Sequence, residues 1–338
     1  MRQVFITKAG NPDVLRIKES NDPEPERGEV RILVKAAGIN FADILARKGL
    51  YPDAPKPPCV VGYEVSGIIE KTGDDVDDSL MGKSVLALTK FGGYSDVVSV
   101  PVAQVFPIPK KLTFEQAACI PVNYLTAYQL IAVMGGLRKE ETVLIHNAGS
   151  GVGLAALDIA KHIGAKVFGT ASSRKHDFLK QRGFDEIIDY RTVDWEDKVL
   201  KLTQGRGVEL VIDPLGGKNW KKNYHVLRST GRLGTFGVSM VTESTLFGPL
   251  KFLGIVLGMP RFNPIGLMNA NKGVFGVNLG HLWNERDKIS IWMKTILDGV
   301  ENGWIRPHID RSFPFEKANE AHAYIEARKN IGKVVLVT

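Results

Sequence analysis

The feature that most constrains the fold is a series of apolar segments between residues 142 and 279. They read TVLIHN (142–147), KVFGTA (166–171), EIIDY (186–190), VELVID (208–213), RLGTFGV (232–238) and GVFGVNL (273–279). The helical segments VGLAALDIAKHIG, RKHDFLKQRG, DWEDKVLKLT and WKKNYHVLRSTG lie between the first five. Strand and helix alternating about every 22 residues predict an α/β fold, with a doubly wound parallel sheet covered on both faces.

The flanking regions predict a second, mostly β domain. Strand patterns occupy VRILVKAAGI (30–39), YEVSGIIEKTG (63–73), SVLAL (84–88) and YSDVVSV (94–100), with a short helix at FADILARKG (41–49). After helical patterns at 289–303 and 315–330, the chain ends in one more strand, KVVLV (333–337). A single terminal strand cannot bury itself, so we expect it to return to the N-terminal strands. Residues 1–120 and 283–338 then form a discontinuous catalytic and substrate domain, with 121–282 inserted as the nucleotide-binding domain.

The turn between the first strand and helix of the series is rich in glycine. The segment IHNAGSGVGLAAL (145–157) fits the small-residue pattern A-x-S-x-x-G, with Ala148, Ser150 and Gly153 at the key positions. Small residues let a backbone approach a dinucleotide pyrophosphate at a helix N-terminus. The alternative is a glycine turn required only for steric reasons.

The end of the second strand indicates which dinucleotide binds. An NAD site usually has Asp or Glu there for the ribose hydroxyls. This chain reads GTASSRKH (169–176), which offers hydroxyl groups and cations and no carboxylate. Such groups suit a 2′-phosphate, so NADP(H) is favoured over NAD(H). The alternative is a basic helix N-terminus that is simply exposed to water.

Composition and charge argue against several other classes of protein. The 44 basic residues are dispersed among 37 acidic ones, which favours a solvated surface over a nucleic-acid arm. Two cysteines cannot build a disulfide framework. The start resembles neither a signal nor a transit peptide, and the longest apolar stretch, 246–260, is broken by Pro249 and Lys251. We therefore expect a cytoplasmic protein.

With these features in place, the chain resembles the medium-chain dehydrogenase/reductase superfamily, in its zinc-free quinone oxidoreductase branch. Within that branch it is similar to the synaptic vesicle membrane protein homologues and to zeta-crystallin. The resemblance covers essentially the whole chain. Its motifs are GINFADILARKGLY (38–51), VNYLTAY (122–128), HNAGSGVG (146–153), GTASSRKH (169–176), IDY (188–190), DPLGG (213–217), GVFGVNLG (273–280) and KNIGKVVLV (329–337). It implies a Rossmann domain inserted in a GroES-like β domain, and a homodimer.

The resemblance also implies roles for individual residues around NADP(H). Asn40 and Thr126 would contact the nicotinamide half of the cofactor, and Phe275 and Val277 would pass beside it. The remaining implied contacts are Ser150, Gly151 and Val152 at the pyrophosphate, Ser172, Lys175 and Tyr190 at the 2′-phosphate, and Asn330 elsewhere on the cofactor. One departure concerns the glycine turn. The usual order there is A-A-G-G-V-G or A-S-G-G-V-G, whereas this chain has A-G-S-G-V-G.

The resemblance predicts no metal. Zinc-dependent relatives bind the ion through Cys, His and Cys, where this chain has Asn40, Tyr63 and Val122, and only the nearby Glu64 is kept. One carboxylate cannot hold zinc. His146 is interpreted as a strand-end histidine with satisfied hydrogen bonds.

The predicted function is reduction of a quinone or an α,β-unsaturated carbonyl by NADPH. Hydrogen bonds then stabilise the developing negative charge, and the candidate catalytic residues are Asn40, Asp43, Tyr51 and Tyr63. Asp43 has an alternative role in fixing its loop, and Tyr51 one in packing. A different class stays open: a nucleotide-binding interaction protein, associated with a membrane or a partner, with low intrinsic reductase activity. The long apolar segment 239–272 is the reason for considering it. A covered cleft or a dimer contact is the favoured interpretation of that segment.

Overall fold

The computed structural model describes residues 1–239 and 258–338. The chain divides into two compact units, Met1–Leu125 with Leu279–Thr338, and Thr126–Asn278. Most apolar residues of the segment 239–272 lie outside the described residues: Phe247, Leu250, Phe252, Leu253, Ile255, Val256 and Leu257. No described helix is both long enough and apolar enough to cross a lipid bilayer.

The N-terminal part of the first unit contains eight strands and reaches into the third helix. The strands are β1 (Arg2–Ile6), β2 (Leu15–Glu19), β3 (Glu29–Gly38), β4 (Cys59–Val60), β5 (Glu64–Thr72), β6 (Ser84–Leu88), β7 (Val97–Pro101) and β8 (Val105–Pro107). The helices are α1 (Phe41–Arg47), α2 (Phe114–Ala117) and α3 (Pro121–Tyr128). The sequence patterns predicted β3, β5, β6, β7 and α1, but not the short outer strands β1, β2, β4 and β8.

The second unit contains a fully parallel sheet. Its strands are β9 (Thr142–Ile145), β10 (Lys166–Thr170), β11 (Glu186–Ile188), β12 (Val208–Asp213), β13 (Leu227–Thr235) and β14 (Gly273–Gly276). Its helices are α4 (Gly151–Ile163), α5 (His176–Arg182), α6 (Trp195–Leu202), α7 (Asn219–His225) and α8 (Pro264–Ala270). The strand order is β11-β10-β9-β12-β13-β14. From β9 the chain first adds strands on one side and then, starting with β12, on the other, and such a switch point is where these sheets bind ligands.

One predicted helix is too long. The segment WKKNYHVLRSTG was expected to be helical to its end, but α7 stops at His225 and β13 begins at Leu227. Val226 and Leu227 are buried in one core cluster with Val208, and the chain becomes extended at Leu227, which pairs with Val208 in the sheet. The sequence pattern did not show that the strand begins at Leu227, because β13 is paired in two parts. An irregularity in the strand pairing, with Thr230 at φ 71°, separates them.

The chain returns to the first unit through α9 (Arg286–Glu301), β15 (Ile309–Pro314), α10 (Ala318–Glu326) and β16 (Lys333–Val337). The terminal strand β16 pairs antiparallel with β3, placing Val335 opposite Gly38, and it pairs parallel with β15. The expected return of the last strand is therefore confirmed. The larger sheet of this unit runs β15-β16-β3-β5-β6-β8, and β7 pairs with β3 as well.

A buried histidine on α10 belongs to the core of the first unit. The His322 Nε2 atom lies 3.1 Å from the Tyr94 hydroxyl, and its Nδ1 atom is buried without a partner among the described residues. Because burial disfavours the charged ring and Arg47 adds repulsion, the pKa of His322 falls to about 3.

We expect this histidine to make the protein sensitive to acid. Its pKa in the folded state is below the unfolded value, so its contribution to stability is complete above about pH 6.5 and is lost as the pH falls toward 3. The stability difference between the wild type and His322→Gln should change by up to about 1.4 kcal/mol per pH unit in this window. Urea unfolding from pH 4 to 8 measures it, and a difference that does not vary with pH would contradict it.

Candidate functional site

The glycine-rich turn joins β9 to α4 in the second unit. Ser150 is the N-cap of α4, with extended backbone angles (φ −82°, ψ 168°), and its Oγ accepts a hydrogen bond of 3.0 Å from the Gly153 N–H. A Cβ on Gly153 would lie 2.5 Å from the Ala148 carbonyl oxygen, so this position requires glycine. Position 150 has no such requirement for glycine, because its backbone is extended. The Ser150 oxygen is used by the cap, while its hydroxyl can still donate to an anion.

This turn has the chemistry of an anion site. The backbone N–H groups of Gly151 and Val152 lie in the first turn of α4, where such groups have no intrahelical acceptor. The first turn carries no acidic residue, so the positive end of the helix dipole is not offset there. A phosphate group therefore fits the start of α4.

The end of β10 supplies hydroxyl groups and a lysine to the same unit. Ser172 and Lys175 are both buried, and Ser173–Lys175 forms a 3₁₀ turn that leads into α5. The side chain of Lys175 lies against Gly149 in the turn after β9, and only 6% of the lysine is exposed. The structure thus brings Lys175 next to the glycine-rich turn.

Asp189, directly after β11, holds this segment in place. Its carboxylate accepts hydrogen bonds from the Ser173 N–H (3.1 Å) and the Arg191 N–H (3.0 Å). These backbone bonds, led by the one from Arg191, lower the pKa of Asp189. Tyr190 is 39% exposed, and the Arg191 guanidinium carbon lies 5.8 Å from its ring centre. Sequence reasoning noted the IDY motif but assigned no role to its aspartate.

A buried hydrogen-bond chain joins the carboxyl ends of β9, β10 and β12. Asn223 Nδ2 donates to Asp213 Oδ2 (2.9 Å), so its Oδ1 accepts from His146 Nε2 (2.7 Å). His146 Nδ1 then accepts from the Thr170 hydroxyl at 3.0 Å. Burial lowers the pKa of His146 and keeps the ring neutral. Both ring nitrogens are satisfied, as the structural interpretation of this histidine expects.

Asp213 extends this chain to the DPLGG turn. Its carboxylate also accepts from the backbone N–H groups of Leu215 (2.6 Å) and Gly216 (3.3 Å). Burial raises the pKa of Asp213 against the opposing effect of these donors. The spacing of His146, Asn223 and Asp213 along the chain carries no signal that could have revealed the network.

The other predicted cofactor contacts of this unit lie on α3 and near β14. Thr126 is buried on α3, and Phe275 lies in β14 opposite Gly234 of β13. The Val277 N–H donates to the Thr235 carbonyl at 2.9 Å, which continues the pairing beyond β14. Their roles at the nicotinamide stay predictions.

In the first unit, Asn40 belongs to a buried cluster with Glu64 and Lys333. The Lys333 ammonium donates to Asn40 Oδ1 at 2.6 Å and forms an ion pair with Glu64 Oε1. Asn40 Nδ2 donates to Glu64 Oε1 at 3.0 Å, and the Val122 N–H donates to Glu64 Oε2 at 2.8 Å. These contacts fix the orientation of the Asn40 amide. Neither Glu64 nor Lys333 was given this positioning role from the sequence.

Asp43 follows Asn40 in the chain and lies on α1, where it is completely buried. Its two carboxylate oxygens accept from the Asn40 N–H (2.7 Å), the Gly62 N–H (3.1 Å) and the Tyr94 hydroxyl (3.1 Å). Burial outweighs these donors and raises the pKa of Asp43 to about 7. The contacts favour the interpretation in which Asp43 fixes its loop.

Tyr51 and Tyr63 lie beside each other in the same unit. Their rings meet edge to face with centres 6.3 Å apart. Burial raises the pKa of both phenols, so both stay protonated at neutral pH. The Tyr63 hydroxyl is buried and makes no hydrogen bond of normal geometry in the described part of the chain, although the Tyr51 phenol is close enough to affect its pKa. The side-chain amide of Asn330 donates to the Gly332 carbonyl at 2.9 Å.

Comparison with known proteins identifies the family. Residues 26–110 match the alcohol dehydrogenase GroES-like domain, and residues 182–336 match the family of zinc-binding dehydrogenases. The synaptic vesicle membrane protein VAT-1 homolog of Rattus norvegicus is 38% identical over 100% of this chain and 84% of its own length. The chain belongs to the medium-chain dehydrogenase/reductase superfamily.

Two further similar proteins are both quinone oxidoreductases. Human quinone oxidoreductase is 30% identical over 100% of this chain and 98% of its own. The solved structure of Escherichia coli quinone oxidoreductase, complexed with NADPH, has a TM-score of 0.88 and 28% identity, with both chains covered completely. The superfamily and the α/β fold, a Rossmann sheet inserted in a GroES-like domain, are therefore confirmed. The protein is an oxidoreductase of this superfamily.

The residues present do not fit the zinc ion that one matched family is named for. Asn40, Tyr63 and Val122 provide no thiolate or imidazole ligand, and the Glu64 carboxylate is already paired with the Lys333 ammonium. Residues 1–239 and 258–338 contain no cluster of three or more His, Cys, Asp or Glu able to hold a metal. We assign no chemistry to a metal at this place.

We expect the Lys333–Glu64 pair to be essential for the stability of the first unit. Lys333→Met leaves a buried carboxylate without its cation, which should lower the free energy of unfolding by about 3–5 kcal/mol. Lys333→Met combined with Glu64→Gln removes both charges and should recover much of this loss. Urea unfolding measures the effect.

A matched control is Lys222→Met. It breaks the ion pairs of a lysine that is 40% exposed with Asp194, which is 47% exposed, and with Glu196, which is 17% exposed. Its effect should be about 1 kcal/mol or less. An equal effect at Lys222 and Lys333, or no recovery in the double variant, would contradict the assignment.

Proposed function

We propose that this protein is an NADPH-dependent oxidoreductase that reduces a quinone or an α,β-unsaturated carbonyl without a metal ion. The observation that carries the proposal is that Lys175 is buried beside the glycine-rich turn between β9 and α4, while the segment 169–176 contains no carboxylate. A carboxylate there would bind a ribose hydroxyl, whereas a lysine and serines suit a 2′-phosphate.

In this proposal the second unit holds most of the cofactor. The N–H groups of Gly151 and Val152, with the Ser150 hydroxyl, bind the pyrophosphate. Ser172, Lys175 and Tyr190 surround the 2′-phosphate, and Asp189 keeps the first two of these in place through Ser173. Thr126, Phe275 and Val277 contact the nicotinamide, and Asn40 and Asn330 complete the binding residues. When bound, NADPH supplies the hydride.

In this proposal, hydrogen-bond donors stabilise the substrate during reduction. Quinones and enones spread the negative charge of reduction over a conjugated system, so donors can stabilise it without a Lewis acid. Tyr63 is the first candidate among the four predicted catalytic residues, because its buried hydroxyl is protonated and makes no hydrogen bond of normal geometry among the described residues, with the Tyr51 phenol beside it. Tyr51 is the second donor. Asn40 keeps a fixed orientation through Lys333, and Asp43 fixes the loop.

The names of the relatives support this class of substrate, since two of the similar proteins are quinone oxidoreductases. The homodimer and the cytoplasmic location stay predictions. The edge position of β14 in the parallel sheet is compatible with pairing between two copies.

The proposed activity is tested by following NADPH oxidation with quinones, short enones and aldehydes. We expect turnover of quinones or enones, little of simple aldehydes, and the same rate with and without a chelator. Activity that a chelator abolishes would overturn the metal-free assignment. No turnover across the quinones and enones would overturn the proposed reaction.

The cofactor preference is tested at Lys175 and Tyr190. Lys175→Met removes a charge-assisted hydrogen bond and should weaken NADPH binding about 10- to 100-fold, with little effect on NADH. Tyr190→Phe should act in the same direction and less strongly. Titration of both cofactors measures this, and an equal loss for NADPH and NADH would remove the 2′-phosphate assignment.

A further inference from the structure

The Asp43 carboxylate connects the two loops that carry Asn40 and Tyr63. It accepts hydrogen bonds from the backbone N–H groups of Asn40 (2.7 Å) and Gly62 (3.1 Å), and Gly62 directly precedes Tyr63. A third donor, the Tyr94 hydroxyl, approaches Asp43 Oδ2 at 3.1 Å. Three donors face this buried group, so its contacts suit the ionised form, which only accepts hydrogen bonds.

The hydrogen bonds behind Tyr94 have a fixed direction. Tyr94 gives its single hydroxyl hydrogen to Asp43, so its contact of 3.1 Å with His322 Nε2 requires the histidine to donate. The opposite direction would place the hydrogen of the neutral ring on Nδ1, which is buried without a partner among the described residues. The chain therefore runs one way, from His322 through Tyr94, and ends on the Asp43 carboxylate.

Tyr94 also holds the segment before Tyr63 by contacts that do not involve its hydroxyl. Its N–H donates to the Val61 carbonyl at 2.9 Å. Gly62 has φ 107°, and a Cβ there would lie 2.7 Å from Tyr94 Cδ1. A change from tyrosine to phenylalanine keeps the ring and the backbone bond, so it isolates what the hydroxyl does.

We propose that Tyr94 is a positioning residue for the proposed reaction, because its hydroxyl, held by His322, stabilises the carboxylate that fixes the backbone at Asn40 and Gly62. The inference rests on the proposed function and adds a pH limit to it: reduction requires Asp43 to be ionised. A protonated Asp43 needs an acceptor for its own O–H group, and the Tyr94 hydroxyl then loses the oxygen to which it donates. Both loops are held less firmly.

Several titratable groups surround Asp43 and Tyr94, and their states decide which of them sets such a limit. They are Tyr51, Tyr63, Glu64, Lys333, Arg47 and His322. Burial raises the pKa of both phenols and lowers that of the histidine to about 3, so all three are neutral at neutral pH. Lys333 pairs with Glu64, and Arg47 pairs with Glu326. Burial raises the pKa of Asp43 to about 7, which places the limit near neutral pH.

The test measures kcat/KM for quinone reduction by NADPH as a function of pH, which reports groups that titrate in the free enzyme. In the wild type we expect a loss of activity below about pH 7. Tyr94→Phe should move this limit upward by about one pH unit, so that activity on the acid side falls about tenfold and is recovered at higher pH. Asp43→Asn cannot ionise and should give a lower rate without this limit.

Variants at His322 and Tyr324 separate the chain from general effects on the fold. His322→Gln keeps an N–H donor for Tyr94 and should keep the wild-type limit, whereas His322→Leu should shift it in the direction of Tyr94→Phe. The matched control is Tyr324→Phe, since Tyr324 packs against the same core and lies on α10 with His322. Its limit should equal that of the wild type.

Urea unfolding provides a measurement that does not depend on turnover. The pKa of Asp43 in the folded state is above its unfolded value, so its contribution to stability is lost as the pH rises toward about 7. Tyr94→Phe should extend this loss to higher pH. Its unfolding equilibrium constant relative to the wild type should therefore rise by up to about tenfold between about pH 7 and 8.

The outcomes separate this inference from the function on which it rests. If Tyr94→Phe has the wild-type limit, or if the limit persists in Asp43→Asn, the positioning role is wrong. If unfolding changes as expected but the wild type reduces no quinone or enone, the proposed function is wrong. The hydrogen-bond chain to Asp43 is then upheld, and its role in the reaction falls with the function.

Discussion

The pairing of β16 with β3 is the interaction on which the first unit depends. It joins residues 333–337 to residues near 38, so the sheet is completed by the last strand of the chain. The buried contact of Lys333 with Glu64 and Asn40 lies at this junction. An unpaired charge in such a place is strongly unfavourable, so the strand pairing and the ion pair require each other. The same contacts set the orientation of a predicted binding residue.

In the second unit, hydrogen bonds connect the ends of neighbouring strands. The chain from Thr170 through His146 and Asn223 to Asp213 crosses three neighbouring strands at their carboxyl ends. Asp189 ties the segment after β10 to the one after β11. These hydrogen bonds tie the segments that carry Ser150, Ser172 and Tyr190 to the carboxyl ends of the strands, which limits the ordering that a ligand would have to impose.

The parallel sheet and the return of the last strand were predictable from the sequence, because both depend on local hydrophobic patterns and on the need of a strand for a partner. The end of α7 was not, since the burial of Val226 and Leu227 beside Val208 is a tertiary effect. The candidate site divides in the same way. Motifs indicated Ser150 and Lys175, whereas the contacts of Lys333, Asp189 and Asn223 join residues far apart in the chain and leave no local pattern.

The discontinuity of the first unit has a consequence for folding during synthesis. Strand β3 emerges from the ribosome early, yet its β16 neighbour follows nearly 300 residues later. The inserted sheet has all of its strands between residues 142 and 276 and can assemble in the meantime. The edge of β3 and the carboxylate of Glu64 stay without their final partners until residues 333–337 have been synthesised. The nascent chain is therefore most exposed to misassociation in the interval between the synthesis of β3 and that of β16.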